Sequence, residues 1–380
     1  MMETFLSQLI FGLQRGTIYA LIALGYTMVY GVVRLINFAY GEVFMIGAFV
    51  SFFLVNAVSL PQPILVVLAL LVPMVTCSLL GLVMDALAYR PLRQKPRLAA
   101  LITAIGVSFF LSNFVSYSSG ETVRSSAIAA FLLAGVLLLY VLGVKYLNFP
   151  VKATPNFKPM KFVIPIVSLL LVGYIFWVSK DLLVELRWKG SSFASYPVDR
   201  LITIEKIPLY KTVYITNIQI MNFIVSVILM VVLSYLVNRT MTGMAMRASK
   251  NNKDAVALMG VNVNRVISIT FIIGTALAGA AGVLSAITYP RLTAFMGVQP
   301  GLKAFIAAVL GGIGSIEGAM LGGIIMGVAE QFAIGLLPSS YGPSRIDFTP
   351  LADGVAYAIL IVVLLLRPQG IFGEPPREKL

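Results

Sequence analysis

The sequence predicts an all-α polytopic membrane protein of about 10–11 membrane segments, some of them short or broken. Hydrophobic residues make up 59% of the 380 residues, charged residues only 11%, and the mean hydropathy is +0.94. A soluble domain of this size could not bury so much apolar side chain, so lipid must surround most of the chain. In addition, apolar stretches of about 20 residues, the length that spans the hydrocarbon core, recur along the sequence.

Short polar loops separate the apolar stretches. The stretches fall at 5–33, 41–59, 63–88, 98–117, 126–147, 162–179, 217–237, 266–288, 302–313, 318–337 and 353–366. Two of them, 302–313 and 353–366, are shorter than a full crossing. The first stretch lacks a basic leader and is long enough to stay in the membrane, so no cleavable signal peptide is expected.

Basic residues in alternate loops set the expected orientation. Loops 89–97, 145–161 and 238–265 carry several Lys and Arg with at most one acid, as cytoplasmic loops do. Loops 119–125 and 180–216 mix acids with bases, which fits the outer side. The alternation predicts an integral inner-membrane protein with its N-terminus outside and its C-terminus inside.

The composition also excludes several classes of function. The net charge is +13, but the basic residues are divided among short loops, which does not favour nucleic-acid binding. The chain has no histidine, the commonest general base, and its acids are scattered, which disfavours an integral-membrane enzyme such as a lipid-modifying transferase. The single cysteine, Cys77, cannot form an intrachain disulfide. No GxxxxGK[ST] phosphate loop occurs, so the chain is not expected to hydrolyse nucleotide by itself.

Three parts are predicted along the chain. Residues 1–125 form an N-terminal transmembrane part, and residues 217–380 form a C-terminal one. Residues 126–216 between them have the character of an insertion, with two apolar helices followed by an outer loop. Weak alternation within 187–215 (ITIEKIPLYKTVYI) predicts a small outer β-hairpin.

The sequence LINFAYGE at 35–42 interrupts an otherwise apolar run. Asn37 and Glu42 are costly at membrane depth unless they face protein or water, and Gly41 permits a sharp change of direction. One interpretation is a broken helix that lines a translocation pathway, with Asn37, Tyr40 and Glu42 along it. The other is an ordinary tight cytoplasmic turn that follows Arg34.

A glycine-rich stretch begins at Gly311. Gly311, Gly312 and Gly314 can end a short helix, so together with the short 302–313 segment they predict a half-helix and a return beside the pathway. The glycines between 318 and 327 have the small-xxx-small spacing that lets helix backbones approach closely. Tight packing without any pathway role is the alternative.

Three acids fall inside or beside apolar stretches. Asp85 is expected to pair with Arg90 or Arg93 near the inner end of its helix. Asp353 lies at the start of the last short stretch. Glu330 sits deeper and is the better pathway candidate, with a structural interhelix hydrogen bond as the alternative.

The basic island, which we define as Arg239–Arg265, is a polar segment between two long apolar ones. Its apolar residues recur at helical spacing on both sides of Asn252. Asn252 or Asp254 can cap a second short helix, and Gly260 stands where a C′ glycine belongs. The island therefore predicts a helix–turn–helix on the membrane face, which serves either as a docking surface or as a loop whose charge only sets topology.

Several segments carry a family resemblance. They are YALIALGYTMVYGVVRLINFAYGEVFMIGAF, AYRPLR, LITAIGVSFFLSN, DAVALMGVNVNRVISITFIIGTALAGAAGVL, GLKAFIAAVLGGIGSIEGAMLGG and LLLRPQGIFG. In this order they closely resemble the permeases of bacterial branched-chain amino-acid ABC importers, of the LivH type. The similarity covers roughly residues 1–125 and 217–373.

The resemblance implies an ABC importer permease fold with several partners. Two homologous permease subunits would form the membrane core, two cytoplasmic ATPase subunits would hydrolyse ATP, and a periplasmic binding protein would deliver the amino acid. The chain itself would hold no cofactor or metal. The basic island stands at the place of the element that couples to the ATPase. Its coupling residues would be Arg247, Ala248, Asp254, Ala255 and Gly260.

The sequence departs from the family at 126–195, where two additional membrane helices are expected. Related permeases serve urea or short amides, so these stay alternative substrates. A secondary transporter or channel driven by an ion gradient is a further alternative. Its uptake would collapse with the ion gradient rather than with depletion of ATP.

Overall fold

The computed structural model of the protein describes residues 2–33, 37–93, 96–118, 194–210, 213–336, 349–367 and 369–373. The all-α membrane fold is confirmed, because seven helices in this part of the chain are long and apolar enough to cross a membrane. Two shorter apolar helices add to them. The apolar stretches predicted at 126–147 and 162–179 lie outside the described residues.

The described elements, numbered in chain order, follow the apolar stretches closely. They are α1 (Met2–Val33), α2 (Tyr40–Ala57), α3 (Gln62–Met84), α4 (Arg97–Ser118), β1 (Ala194–Ser195), α5 (Val198–Leu201), β2 (Lys206–Tyr210), β3 (Val213–Thr216), α6 (Asn217–Arg239), α7 (Met241–Asn251), α8 (Lys253–Leu258), α9 (Val263–Thr288), β4 (Arg291–Leu292), α10 (Val298–Gly311), α11 (Ile316–Leu336) and α12 (Thr349–Leu366). A π-helical turn (Asp85–Tyr89) and a 3-10 turn (Arg90–Leu92) continue α3.

Helices α1, α2 and α9 form the centre of the molecule, and their apolar windows are largely buried. In α3, α4 and α6 only 28% of each window is buried. Exposed apolar side chains recur along α3 at Ile64, Val67, Leu71 and Val75, which is the spacing of one helix face. Such a face is stable only against lipid or a partner helix.

Small residues bring α1 and α11 together. The backbone of α11 packs directly on Gly12 and Gly16, and a Cβ at Gly323 or Gly327 would collide with the backbone of α1. Close backbone approach of this kind drives helix association in membranes, where apolar side chains have no preference for each other over lipid. Packing therefore accounts for the predicted glycine spacing within α11.

One end of the molecule carries the small β structure. β2 and β3 pair as the antiparallel hairpin that the alternation predicted, and β1 pairs with β4. Tyr196, beside β1, shares a 2.6 Å hydrogen bond with the Ser51 hydroxyl of α2. Burial raises the pKa of Tyr196 to about 12, although this hydrogen bond lowers it, so the phenol stays protonated at neutral pH.

The opposite end gathers the basic island, the end of α1 and the turn between α10 and α11. Lys253 Nζ donates to the Val33 carbonyl at 3.1 Å, and Lys250 Nζ donates to the Gly314 carbonyl at 3.3 Å. The tail joins them, since the Ile371 amide donates to the Leu310 carbonyl at 2.9 Å. This grouping of basic segments agrees with the inner side that the charge pattern predicts.

Candidate functional site

The basic island folds as two short helices whose ends have local causes. The Thr240 hydroxyl accepts from the Gly243 amide at 3.1 Å and starts α7. Asn252 Oδ1 accepts from the Asp254 and Ala255 amides at 3.0 and 3.1 Å and starts α8. Gly260 has a φ of 82° and ends it. The predicted helix–turn–helix, its Asn252 cap and its terminal glycine are confirmed.

The predicted coupling residues lie on an accessible surface. Arg247, Ala248, Asp254 and Gly260 are exposed, and Ala255 is half-buried. The Arg247 guanidinium also donates to a carbonyl at the end of α6. These side chains are therefore available to a partner, although their coupling role stays a prediction.

Large apolar side chains are exposed beside them. Met241, Met244, Leu258 and Met259 are 81%, 56%, 89% and 83% exposed. Apolar side chains this exposed on so short a segment indicate a surface that contacts lipid or another protein.

A second set of contacts connects the island to the membrane helices. Asn262 caps α9 through the Arg265 amide at 3.2 Å, so α9 begins within the last residues of the island. At the same level, Arg93 forms a 2.5 Å ion pair with Asp85, and the Ser268 hydroxyl donates to Asp85 at 2.7 Å. The expected pairing of Asp85 with Arg93 is confirmed. The inner ends of α3 and α9 are thereby joined.

The break between α1 and α2 is buried in the protein. Asn37, Tyr40 and Glu42 are each at most 2% exposed, so residues 37–42 do not form an exposed surface turn. Asn37 Oδ1 accepts from the Tyr89 hydroxyl at 2.6 Å and from the Ala39 amide at 3.0 Å. These bonds hold the chain where it changes direction, with α2 starting at Tyr40.

The start of α10 lies against this break. A Cβ on Gly41 or on Gly297 would collide with the carbonyl oxygen of the other residue, so the two backbones touch. The Tyr26 ring of α1 packs beside them, with its centroid 5.1 Å from that of Tyr40 and 6.0 Å from that of Phe305. Three helices therefore close around one point inside the protein.

Several polar atoms at this point lack hydrogen-bond partners among the described residues. They are the hydroxyls of Tyr26 and Tyr40, Asn37 Nδ2 and Glu42 Oε2. Glu42 Oε1 accepts a long bond, 3.3 Å, from the Ser112 hydroxyl. A buried polar group without a partner costs about 1–3 kcal/mol. These atoms therefore have hydrogen-bonding capacity that the described residues do not use.

The predicted glycine break lies at the other end of α10. Gly312 and Gly314 have φ values of 104° and 97° and turn the chain back into α11, as a half-helix and return require. Gly311 packs on the backbone of Gly318. The 14 residues of α10 measure about 21 Å, too short to cross the hydrocarbon core. The turn that follows α10 lies against the inner end of α1, since a Cβ on Gly31 would be 3.7 Å from the Gly314 Cα.

A cavity of about 420 Å³ opens at that inner end. It is lined by the end of α1, by α7, by the turn after α10 and by the tail; Gly31, Gly314, Arg247, Lys250 and Glu317 are among its lining residues. The cavity thus places Gly314 and Arg247 on one concave surface at the inner face of the protein.

Glu330 belongs to what we call the ion cluster, made of Arg15, Tyr19, Lys303, Glu330 and Asp353. Glu330 Oε1 lies 3.0 Å from the Arg15 guanidinium and 2.7 Å from Lys303 Nζ. The Tyr19 hydroxyl donates to Glu330 Oε2 at 2.8 Å, and Lys303 Nζ lies 2.6 Å from Asp353 Oδ1. Two cations and two carboxylates thus join α1, α10, α11 and α12 away from the break at Asn37.

Comparison with known proteins gives the family. The profile of the family described as "Branched-chain amino acid transport system / permease component" matches residues 8–364. The chain belongs to this family. The permease is thus a multi-pass protein of the bacterial inner membrane. The family that its sequence motifs predict is confirmed.

Curated relatives of the permease cover its whole length. The branched-chain amino acid permease protein BraD of Pseudomonas aeruginosa is 35% identical over 379 residues, 99% of this chain and 98% of the relative. LivH of Escherichia coli is 34% identical over 379 residues, 99% of this chain and 97% of the relative. A probable LivH of Methanocaldococcus jannaschii is 32% identical over 149 residues, 39% and 46% of the two chains. No solved structure matches the permease.

Sequence reasoning missed four residues at these points of the permease: Arg15, Tyr26, Gly297 and Lys303. Arg15 and Lys303 are each the only cation inside an apolar stretch of the sequence. A buried acid such as Glu330 needs a partner at membrane depth, so these two cations were recognisable candidates. Tyr26 and Gly297 gave no such signal. Tyr26 is a tyrosine within an apolar segment and Gly297 a glycine within a loop, and both are common in sequences of this kind. They become distinctive only when the fold brings α1, α2 and α10 together.

Proposed function

We propose that the chain is a membrane-spanning permease subunit of an ABC importer for branched-chain or other neutral amino acids. The observation that carries the proposal is the family match over residues 8–364. The names of BraD and LivH, which describe high-affinity branched-chain amino acid transport, support this substrate class over urea or short amides. The chain does no covalent chemistry and needs no cofactor of its own.

The proposed partners follow from the transporter class. A second homologous permease completes the membrane core, and a periplasmic binding protein delivers the amino acid at the end that carries the β2–β3 hairpin. Two ATPase subunits hydrolyse ATP, because the chain has no phosphate loop. They dock on the island at Arg247, Ala248, Asp254, Ala255 and Gly260.

The contacts of the island supply a route for the force. When the ATPase pair closes, α7 and α8 move with it, and α9 follows because its first turn, from Val263, is part of the island. The hydrogen bonds of Ser268 with Asp85 and of Arg93 with Asn264 transmit the same movement to the end of α3. Alternating access then needs only a rearrangement of packed helices around the pathway.

The proposed pathway passes the meeting point of α1, α2 and α10. Asn37, Tyr40 and Glu42 present polar atoms there that the protein leaves without partners, and a zwitterionic amino acid can use them transiently. Gly311, Gly312 and Gly314 are proposed to shape its inner mouth beside the 420 Å³ cavity. Glu330, which is already paired, is proposed to act on the pathway only through α10.

Uptake by the reconstituted complex tests the proposed function. In proteoliposomes with the second permease, the ATPases and the binding protein, the chain should accumulate leucine only when ATP reaches the ATPases. A protonophore should leave the initial rate unchanged, and excess urea or acetamide should not compete. Accumulation that an ion gradient drives without ATP would instead establish a secondary transporter.

Substitutions in the island test the docking. Arg247→Glu and Ala255→Trp should each lower co-purification of the ATPase by at least about tenfold, because each puts a repulsive charge or a bulky ring into a contact surface. Lys206→Glu on the hairpin at the opposite end is the matched charge reversal and should leave co-purification unchanged. Normal assembly and transport in both island variants would exclude docking at these residues.

A further inference from the structure

We propose that Lys303 is a positioning residue for transport, which holds the half-helix α10 in one state and releases it in another by giving up one of two carboxylate partners. The inference rests on the proposed function, because it needs a permease that alternates between states. It concerns the ion cluster and not the polar residues at the break between α1 and α2.

Lys303 is the only described residue of the ion cluster that pairs with two acids from two different helices. Its Nζ lies 2.7 Å from Glu330 on α11 and 2.6 Å from Asp353 on α12. The Lys303 side chain is 7% exposed, that of Glu330 3% and that of Asp353 33%. One ammonium group therefore ties the half-helix to two neighbours, of which one is buried and the other is partly accessible.

The arrangement permits Lys303 to leave Glu330 without leaving a buried charge alone. Glu330 would keep the Arg15 guanidinium at 3.0 Å and the Tyr19 hydroxyl at 2.8 Å. Lys303 would keep Asp353. Breaking a buried ion pair is strongly destabilising when one partner is left uncompensated, and here neither is. The cluster can therefore separate into two neutral pairs, one on α1 and α11 and one on α10 and α12.

Backbone packing divides the helices along the same line. α1 and α11 touch through Gly16 and Gly327, a close backbone contact that keeps these two helices together. α10 is fixed to α11 at its inner end, where Gly311 packs on the backbone of Gly318 and Gly312 has a φ of 104°. Lys303 lies in the other half of α10. That half can move about the fixed inner end when Lys303 releases Glu330.

The moving half of α10 is the half that matters for the pathway. Its start, at Gly297, lies directly against the backbone of Gly41 at the break between α1 and α2. A small displacement there separates the two backbones and exposes the unpartnered hydroxyl of Tyr26, which lies beside Gly301 of α10. Lys303 therefore controls the contact between Gly297 and Gly41, although its own side chain takes no part in that contact.

The experiment compares Asp353→Asn with Lys303→Met in the reconstituted complex and measures leucine transported per ATP hydrolysed. Asp353→Asn leaves Lys303 paired with Glu330 alone, so α10 stays attached to α11. The amount of leucine transported per ATP hydrolysed should then fall about tenfold, equivalent to about 1.4 kcal/mol. Assembly and the melting midpoint should not change, because the buried pair is intact. Lys303→Met should also lower the ratio, and Lys303→Arg, which can reach both acids, should recover most of it.

Gln331→Leu is the matched control. It removes the 2.9 Å bond between Gln331 and Gln8 at the same interface of α1 and α11 but does not touch α10, so the ratio should stay at the wild-type value. A wild-type ratio of leucine to ATP in Asp353→Asn would overturn the inference. A fall in transport that is explained by a smaller amount of folded complex would overturn it as well. Wild-type protein that fails to accumulate leucine would overturn the proposed function instead.

Discussion

Alanine at Gly41 or at Gly297 is expected to abolish leucine uptake. The two backbones touch, so a single added Cβ at either position collides with the carbonyl oxygen of the other residue. Overpacking of side chains costs about 1–3 kcal/mol, and a collision with backbone has no rotamer by which to relieve it. The measurement is ATP-dependent uptake in proteoliposomes, together with the amount of protein and the melting midpoint of each purified variant.

Two other glycines provide matched controls. A Cβ on Gly106 of α4 or on Gly354 of α12 would meet nothing within 4 Å. Alanine there should leave uptake unchanged and raise helix stability slightly, since glycine is disfavoured in helices by roughly 1 kcal/mol relative to alanine. Wild-type uptake and stability in Gly41→Ala would show that α10 does not lie against the break. Lost uptake in a stably folded variant would support a gate at this contact.

The sequence predicts most of the helices because lipid imposes a local rule. Each crossing must satisfy its backbone within one segment, so apolar length alone locates a helix. The stretch predicted at 217–237 is the helix Asn217–Arg239, and the stretch at 266–288 is Val263–Thr288. The fold of the island is determined just as locally. Asn252 caps the start of α8 through the next amides of the chain, and Gly260 ends α8 with its positive φ.

The candidate site depends on distant parts of the chain, and there the sequence was less informative. Glu330 was recognised as an acid at membrane depth, but its partner Arg15 is 315 residues away. Gly311 and Gly312 predict the end of the half-helix, whereas no residue near Gly297 predicts where it begins. The partner of Asn37, Tyr89, is 52 residues away on the turn that continues α3, so only the packed structure identifies it.

The ion cluster has a further consequence for stability. Glu330→Leu alone should lower the unfolding free energy by roughly 3–5 kcal/mol, because it leaves Arg15 in a largely buried position without its carboxylate. Lys303 suffers less, since it keeps Asp353. The Tyr19 hydroxyl also loses its acceptor, which adds the cost of an unsatisfied buried donor.

The double variant Arg15→Met/Glu330→Leu should be more stable than Glu330→Leu alone, even though it changes more of the protein. It removes one cation and one carboxylate together, so no buried charge is left uncompensated, and apolar replacements of buried pairs are often tolerated. The coupling between the two substitutions should be about 0.5–3 kcal/mol, in the range of groups in direct contact. Melting midpoints of the purified variants in detergent, with Gln331→Leu as the neighbouring control, measure it. If the double variant loses as much stability as the two single losses combined, the Arg15–Glu330 contact does not hold α1 to α11, and the glycine packing between these helices must do so by itself.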